Sequence, residues 1–180
     1  MFQRAERLRR DGCFQEALAA YERALELAPN DAYYRCRYAE TLFEVGQSAA
    51  AIGAMELACE EEPENAYYRF RLGDFYARSG DLPMAIRETA RAAELAPSDG
   101  YYRAQLGSLY LRVGRIQDAA NAFREALVAA PDNPSYHCLL ADVYVRLGAD
   151  RVALKHYRKA GLLGDYDAEL VTKVRDLHSL

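Results

Sequence analysis

Glycine recurs in this chain at Gly12, Gly46, Gly80, Gly114 and Gly148, a constant spacing of 34 residues. Alanine keeps the same interval at Ala17, Ala51, Ala85, Ala119 and Ala153, and again at Ala24, Ala58, Ala92, Ala126 and Ala160. Proline follows it at Pro29, Pro63, Pro97 and Pro131. A period of this length means stacked copies of one supersecondary unit, each burying its apolar side only against its neighbours.

The recurring residue types identify the unit. Asp31, Asn65, Asp99, Asn133 and Asp167 follow the proline turns and precede runs of helical periodicity. There a short side-chain oxygen accepts from backbone N–H groups that have no partner inside the helix. The glycines close those runs, where a left-handed residue ends a helix without a Cβ penalty. In "GDLPMAIRETARAAELAP" a second helix starts near Leu82, with Pro83 in its first turn, and stops before Pro97. Each block therefore reads as two helices and a tight turn. The alanine columns lie where the helices approach closely, so a larger side chain there should cost roughly 1 to 3 kcal/mol by overpacking.

With these residues in place, the chain resembles the tetratricopeptide repeat (TPR) family. Further matches to its pattern are a small residue at Ala39, Gly73, Gly107 and Ala141 and a large one at Leu42, Tyr76, Tyr110 and Tyr144. Tyr21, Met55, Thr89, Phe123 and Tyr157 form a third column, in which Thr89 is undersized. A position usually aromatic in the family carries Arg35, Arg69, Arg103 and His137, with Tyr34, Tyr68, Tyr102 and Tyr136 next door to supply the ring. The resemblance implies an all-α fold: an α-solenoid of antiparallel helix pairs in a right-handed superhelix. A single array over residues 1–180 would hold about five repeats, at 1–31 (partial), 32–65, 66–99, 100–133 and 134–167, and a C-terminal capping helix at 168–180. Leu170, Val171, Val174 and Leu177 would form the apolar side of that cap. The opening block lacks the first residues of its first helix, which suggests a longer array or a partner covering that end.

Three blocks carry "AYYR" or "GYYR" at one register. Residues spaced by four, three and four share one helix stripe. In the third block that stripe is Tyr67, Arg71, Asp74 and Arg78, with Phe70 beside it. The second gives Tyr33, Arg37, Glu40 and Glu44, and the fourth Tyr101, Gln105, Ser108 and Arg112. The opposite arc is apolar or small, so the first tyrosine of each pair faces outward and the second inward. In the family this chain resembles, the first helix of each repeat lines a concave groove, where Tyr and Arg are effective anchors. The competing reading is a solvated face of Arg71–Asp74 and Asp74–Arg78 pairs, worth roughly 0.2 to 0.5 kcal/mol each. In the fifth block the stripe is Ser135, Leu139, Asp142 and Arg146, which ends the aromatic row. The carboxylate clamp of the chaperone-binding members would fall on Cys36, Glu40, Arg71, Tyr101 and Gln105, of which Arg71 alone resembles a clamp residue. Capture of a chaperone's C-terminal carboxylate is not expected.

Several function classes are excluded by what the sequence carries. The formal charge is −4 and basic residues are not clustered, which argues against nucleic acid as partner. No apolar run approaches the roughly 18 residues of a membrane span. Cys13, Cys36, Cys59 and Cys138 form no CxxC pair and read as free thiols acting as small apolar fillers, which places the chain in the cytoplasm. His137, His156 and His178 occupy different registers and should not form a metal cluster. With no nucleophile, phosphate-loop or metal motif, catalytic, cofactor and metal sites are expected to be none. The sequence thus reads as a non-enzymatic scaffold binding an extended peptide or helix of a partner protein whose identity it does not reveal. Self-assembly into a homo-oligomer, and service as the recognition arm of a larger enzyme, are the alternatives.

Overall fold

The computed structural model describes residues 1–164, 172–174 and 176. Among the described residues the helices are, in chain order, α1 (Phe2–Arg10), α2 (Phe14–Leu27), α3 (Ala32–Glu44), α4 (Ser48–Glu61), α5 (Ala66–Ser79), α6 (Leu82–Leu95), α7 (Gly100–Arg112), α8 (Ile116–Ala129), α9 (Pro134–Arg146) and α10 (Asp150–Leu163), and residues 172–174 and 176 are helical too. No strand occurs among the described residues. The expected all-helical hairpin repeats are present, each pairing an odd-numbered helix with the next even-numbered one.

The punctuation behaves as its chemistry requires. Asp31 accepts from Tyr34 N–H at 2.9 Å, Asn65 from Tyr67 and Tyr68 N–H at 3.1 and 3.3 Å, Asp99 from Tyr101 N–H at 2.9 Å and Asn133 from Tyr136 N–H at 3.2 Å. Asp167 lies outside the described residues. Gly80 ends α5 at φ 93°, in the left-handed region that a side chain disfavours. Gly12, Gly46, Gly114 and Gly148 share its positive φ.

The chain forms two compact units, Met1–Leu95 and Ala96–Leu180. In the first, three hairpins stack through α2 on α3 and α4 on α5. Their core runs from Ala5, Ala17 and Tyr21 through Cys36, Ala39, Leu42, Met55 and Ala58 to Leu72 and Phe75. In the second, α8 packs on α9. Phe123, Leu140 and Val143 lead one cluster, and Ala141, Ala153, Tyr157 and Ala160 another, with Val174 against it. The remaining expected capping residues Leu170, Val171 and Leu177 lie outside the described residues. Every alanine of the two recurring columns is buried. Two helices approach closely at Gly73, where a Cβ would sit 2.6 Å from Thr89 Oγ1 and 3.1 Å from the Ala85 carbonyl. The small threonine in that column therefore lies directly against the glycine of its own hairpin.

Candidate functional site

The odd-numbered helices present the stripe that the sequence singled out. Tyr33, Tyr67 and Tyr101 are 51%, 44% and 44% exposed. Their chain neighbours turn inward, Tyr68 to full burial and Tyr34 and Tyr102 to partial burial. Each outward ring is propped by an aromatic neighbour. Tyr33 lies 5.2 Å from Phe2, Tyr67 6.1 Å from Tyr68 edge-on, and Tyr101 5.7 Å from Tyr102 edge-on. Such contacts hold an exposed ring in one orientation.

In the first unit the charges between these tyrosines form a continuous ladder. Arg37 clamps Glu6 of the preceding repeat through Nε and Nη2, at 2.9 and 3.0 Å, and also reaches Glu40 on its own helix. Arg71 repeats the pattern one block on, with Nε 2.9 Å from Glu40 Oε1 and Nη1 3.4 Å from Asp74 Oδ2. Arg78 Nη1 stands 3.8 Å from the same Asp74 oxygen, and its guanidinium lies 4.3 Å over the Phe43 ring. The hydroxyl of Tyr67 donates to Glu40 at 2.8 Å, and that of Tyr21 donates to Glu6.

The ladder departs from the sequence expectation in one respect. Glu40 does not lie on a solvated face; it is 6% exposed, enclosed by Arg37, Arg71 and Tyr67. Glu88, on a second helix, is likewise buried, with Arg69 Nη1 3.1 Å away. Charge pairing inside partly dry surroundings explains how these carboxylates remain inside. At Glu6, burial opposes ionisation, yet hydrogen bonds from Arg37 and Tyr21 and the charges of Arg37 and Arg9 hold its pKa below the ordinary value. Burial and then the bond to Glu40 push the Tyr67 hydroxyl up to about 12. Hydrogen bonding to Glu6, which outweighs burial, raises Arg37 further.

The second unit keeps the tyrosine and loses the ladder. Gln105 and Ser108 are half-buried, and Ser108 Oγ donates to the Ala104 carbonyl at 3.1 Å. Arg112 is exposed at the end of α7. On α9, Asp142 accepts from the Tyr157 hydroxyl and from Lys173 Nζ at 3.0 Å. Asp142, Val145, Arg146, Tyr157, Lys173 and Asp176 border a cleft of about 390 Å³. Phe70 is half-buried on α5, beside the exposed row.

Sequence reasoning missed Glu6 and Tyr21, although Glu6, Glu40 and Asp74 stand at one register and could have been read as a carboxylate column. It did not foresee what the arginines at the usually aromatic position do. Arg35 pairs with Glu61 at 2.6 Å, Arg69 with Glu88 and Arg103 with Glu125 at 3.0 Å, so ion pairs across each hairpin replace the missing rings. Cys36 and Cys59 are the buried fillers expected, their thiols pushed by burial up to about 12 and 11, whereas Cys13 is exposed. His137 and His156, read as unrelated, meet at 2.9 Å. His178 lies outside the described residues.

Stacked helical hairpins at a 34-residue period, with small residues at every close approach, define a helical-repeat protein. Tetratricopeptide repeat models match residues 39–100 and 105–167, and further ones match 1–31 and 20–53, so the chain belongs to the tetratricopeptide repeat family. Among solved structures it is similar to MamA, at 21% identity and a TM-score of 0.78 over 88% of this chain and 87% of that one. MamA from residue 41 onward, of Desulfovibrio magneticus RS-1, gives 20% identity and 0.76 over 89% and 91%. YrrB, described as a TPR protein with an unusual peptide-binding site, gives 22% and 0.76 over 97% and 90%. No curated protein matches the sequence. At these identities the likeness is one of fold.

Among the described residues no helix is long and apolar enough to cross a membrane. No group of three or more metal-ligating side chains is assembled there.

Proposed function

We propose that the chain is an interaction scaffold whose odd-numbered helices dock an extended peptide or short helix of a partner protein. On the first unit Tyr33 and Tyr67 are its anchors, and the second unit, taken by itself, offers Tyr101. The observation that carries this reading is the row of half-exposed tyrosines, each held edge-on or tilted by an aromatic neighbour. Rigid, amphipathic rings give contact area at low entropic cost, which is why such residues dominate binding energy. The peptide-binding description of YrrB, a protein of the same fold, is consistent with it.

The ion ladder refines the division of labour. Arg37, Glu40, Arg71 and Asp74 are engaged with one another and act as the frame that fixes the tyrosines. Selection for acidic or carboxylate-bearing segments falls to Arg78 and Arg112 at the exposed ends of α5 and α7.

A peptide library displayed on phage and panned against the whole chain tests this. Selected peptides should bind Tyr33→Ala/Tyr67→Ala at least tenfold more weakly, while circular dichroism keeps the helical signal. Retained affinity in that variant would remove the groove from the account. Self-assembly is the competing outcome, read as a mass that rises with concentration in light scattering.

A further inference from the structure

Arg69 on α5 and Glu88 on α6 tie the two helices of one hairpin together, at 3.1 Å. Two repeats later the same two registers carry His137 on α9 and His156 on α10. The imidazoles meet there as the ion pair does: the two Nδ1 atoms are 2.9 Å apart and the ring centroids 5.2 Å, so the nitrogens point at one another. The other nitrogen of His137, Nε2, lies 3.0 Å from the Pro131 carbonyl oxygen. The ring of Tyr144 stacks on His156 at 5.6 Å.

These contacts assign the protons. A carbonyl oxygen only accepts, so His137 Nε2 is the donor and its Nδ1 carries the lone pair. His156 must then donate through its own Nδ1. A proton reaching His156 Nε2 leaves this bond in place, but with both rings protonated N–H would face N–H across 2.9 Å, so the pair in contact holds at most one added proton.

Other titratable groups on the surrounding elements are mostly engaged. On α10, Lys159 Nζ is 3.1 Å from Asp132 in the loop before α9, while Asp150, Arg151, Lys155 and Arg158 lie on the same helix. On α9, Asp142 holds the Tyr157 hydroxyl and Lys173. On α8, Glu125 is paired with Arg103 of α7 and Asp118 with Arg115.

We propose that the His137–His156 contact is an acid-sensitive latch, closing the α9–α10 hairpin while the pair can share one hydrogen bond and releasing it when both rings must take up protons. Burial, and then the neighbouring His137, lower the pKa of His156 below 6.5. Because the folded value lies below the unfolded one, the unfolded chain binds the proton first as pH falls. The stabilisation is complete above pH 6.5 and is lost progressively below it, until the folded group titrates as well. One excluded proton lowers the folding equilibrium constant about tenfold per pH unit in that window. The Arg69–Glu88 tie, by contrast, contains no histidine.

Hydrogen exchange of the whole chain, corrected for intrinsic rates, reads the latch directly. Between pH 7.5 and 5.5 the amides of α9 and α10 should lose protection about tenfold relative to those of α5 and α6. The exchange variant His137→Arg/His156→Glu, which rebuilds the tie of the third repeat, should hold its protection constant. His156→Gln, which can still donate but cannot take a proton, should do the same and serves if the double variant fails to fold. A wild-type profile flat with pH, or an equal loss in His156→Gln, would overturn the latch. So would nuclear magnetic resonance titration of the His156 ring at or above 6.5.

Discussion

The two units share helical hairpins, caps and alanine spine, yet their tyrosine-bearing stripes are held by different forces. In the first, carboxylates and guanidiniums alternate from Glu6 through Arg37, Glu40 and Arg71 to Asp74, with Arg37–Glu6 and Arg71–Glu40 crossing between neighbouring repeats and Arg37–Glu40 and Arg71–Asp74 lying within one helix. In the second, the same registers hold Gln105, Ser108, Leu139 and Asp142; Ser108 turns back on its own helix, and Asp142 pairs with Lys173 in place of an arginine. Stacking therefore needs only the apolar spine. The ladder is an addition, and in the first unit it also receives the hydroxyl of the exposed Tyr67.

The most severe test of that contrast is Glu40→Ala. It leaves Arg37 with Glu6 alone, Arg71 with Asp74 alone and the Tyr67 hydroxyl without its acceptor, and losing these contacts to a buried carboxylate costs about 3 kcal/mol. Urea denaturation should record this loss, while Ser108→Ala at the equivalent place in the second unit should change stability by less than about 0.5 kcal/mol. Equal effects would mean that the ladder is not what distinguishes the units.

The shared spine predicts sameness instead. Ala92 and Ala126, both fully buried, occupy one column, so Ala92→Leu and Ala126→Leu should each cost about 2 kcal/mol in thermal melts. An unchanged midpoint in either would break the packing described for that unit.

A smaller change sharpens the role of the tyrosine hydroxyl. Tyr67→Phe keeps the ring and deletes the donor to Glu40, for an expected loss of about 1 kcal/mol. The least effect comes from acid. The pKa of Glu6 is lowered in the folded chain from 4.5, so its contribution is present above pH 4.5 and disappears as pH falls through the folded value. Urea midpoints measured from pH 6 to pH 3 should fall less steeply in Glu6→Gln than in the wild type.

The fold was legible because its signals are local. A cap at Asp31 or Asn65, a left-handed glycine at Gly80 and a buried alanine at Ala92 each answer to the backbone within a few residues. The outward turn of Tyr33, Tyr67 and Tyr101 followed from helical periodicity in the same way. Glu40 was not legible as a buried residue, because its burial depends on Arg71 and Tyr67 arriving from the next hairpin. The histidine contact was hidden for a related reason. His137 and His156 lie at different registers, and only the pairing of α9 with α10 makes those registers adjacent, as Arg69 and Glu88 do in α5 and α6.

The rungs of the ladder are interchangeable, and that bears on how such a chain can lengthen or shorten. Excising residues 32–65 would carry Arg71 into the place beside Glu6 that Arg37 holds, with Asp74 following as its second partner. Tandem copying of that block would add a rung by the same rule. Gene-level gain or loss of whole blocks thus leaves no charge marooned, and the number of tyrosines on display becomes a quantity that inheritance can adjust one at a time.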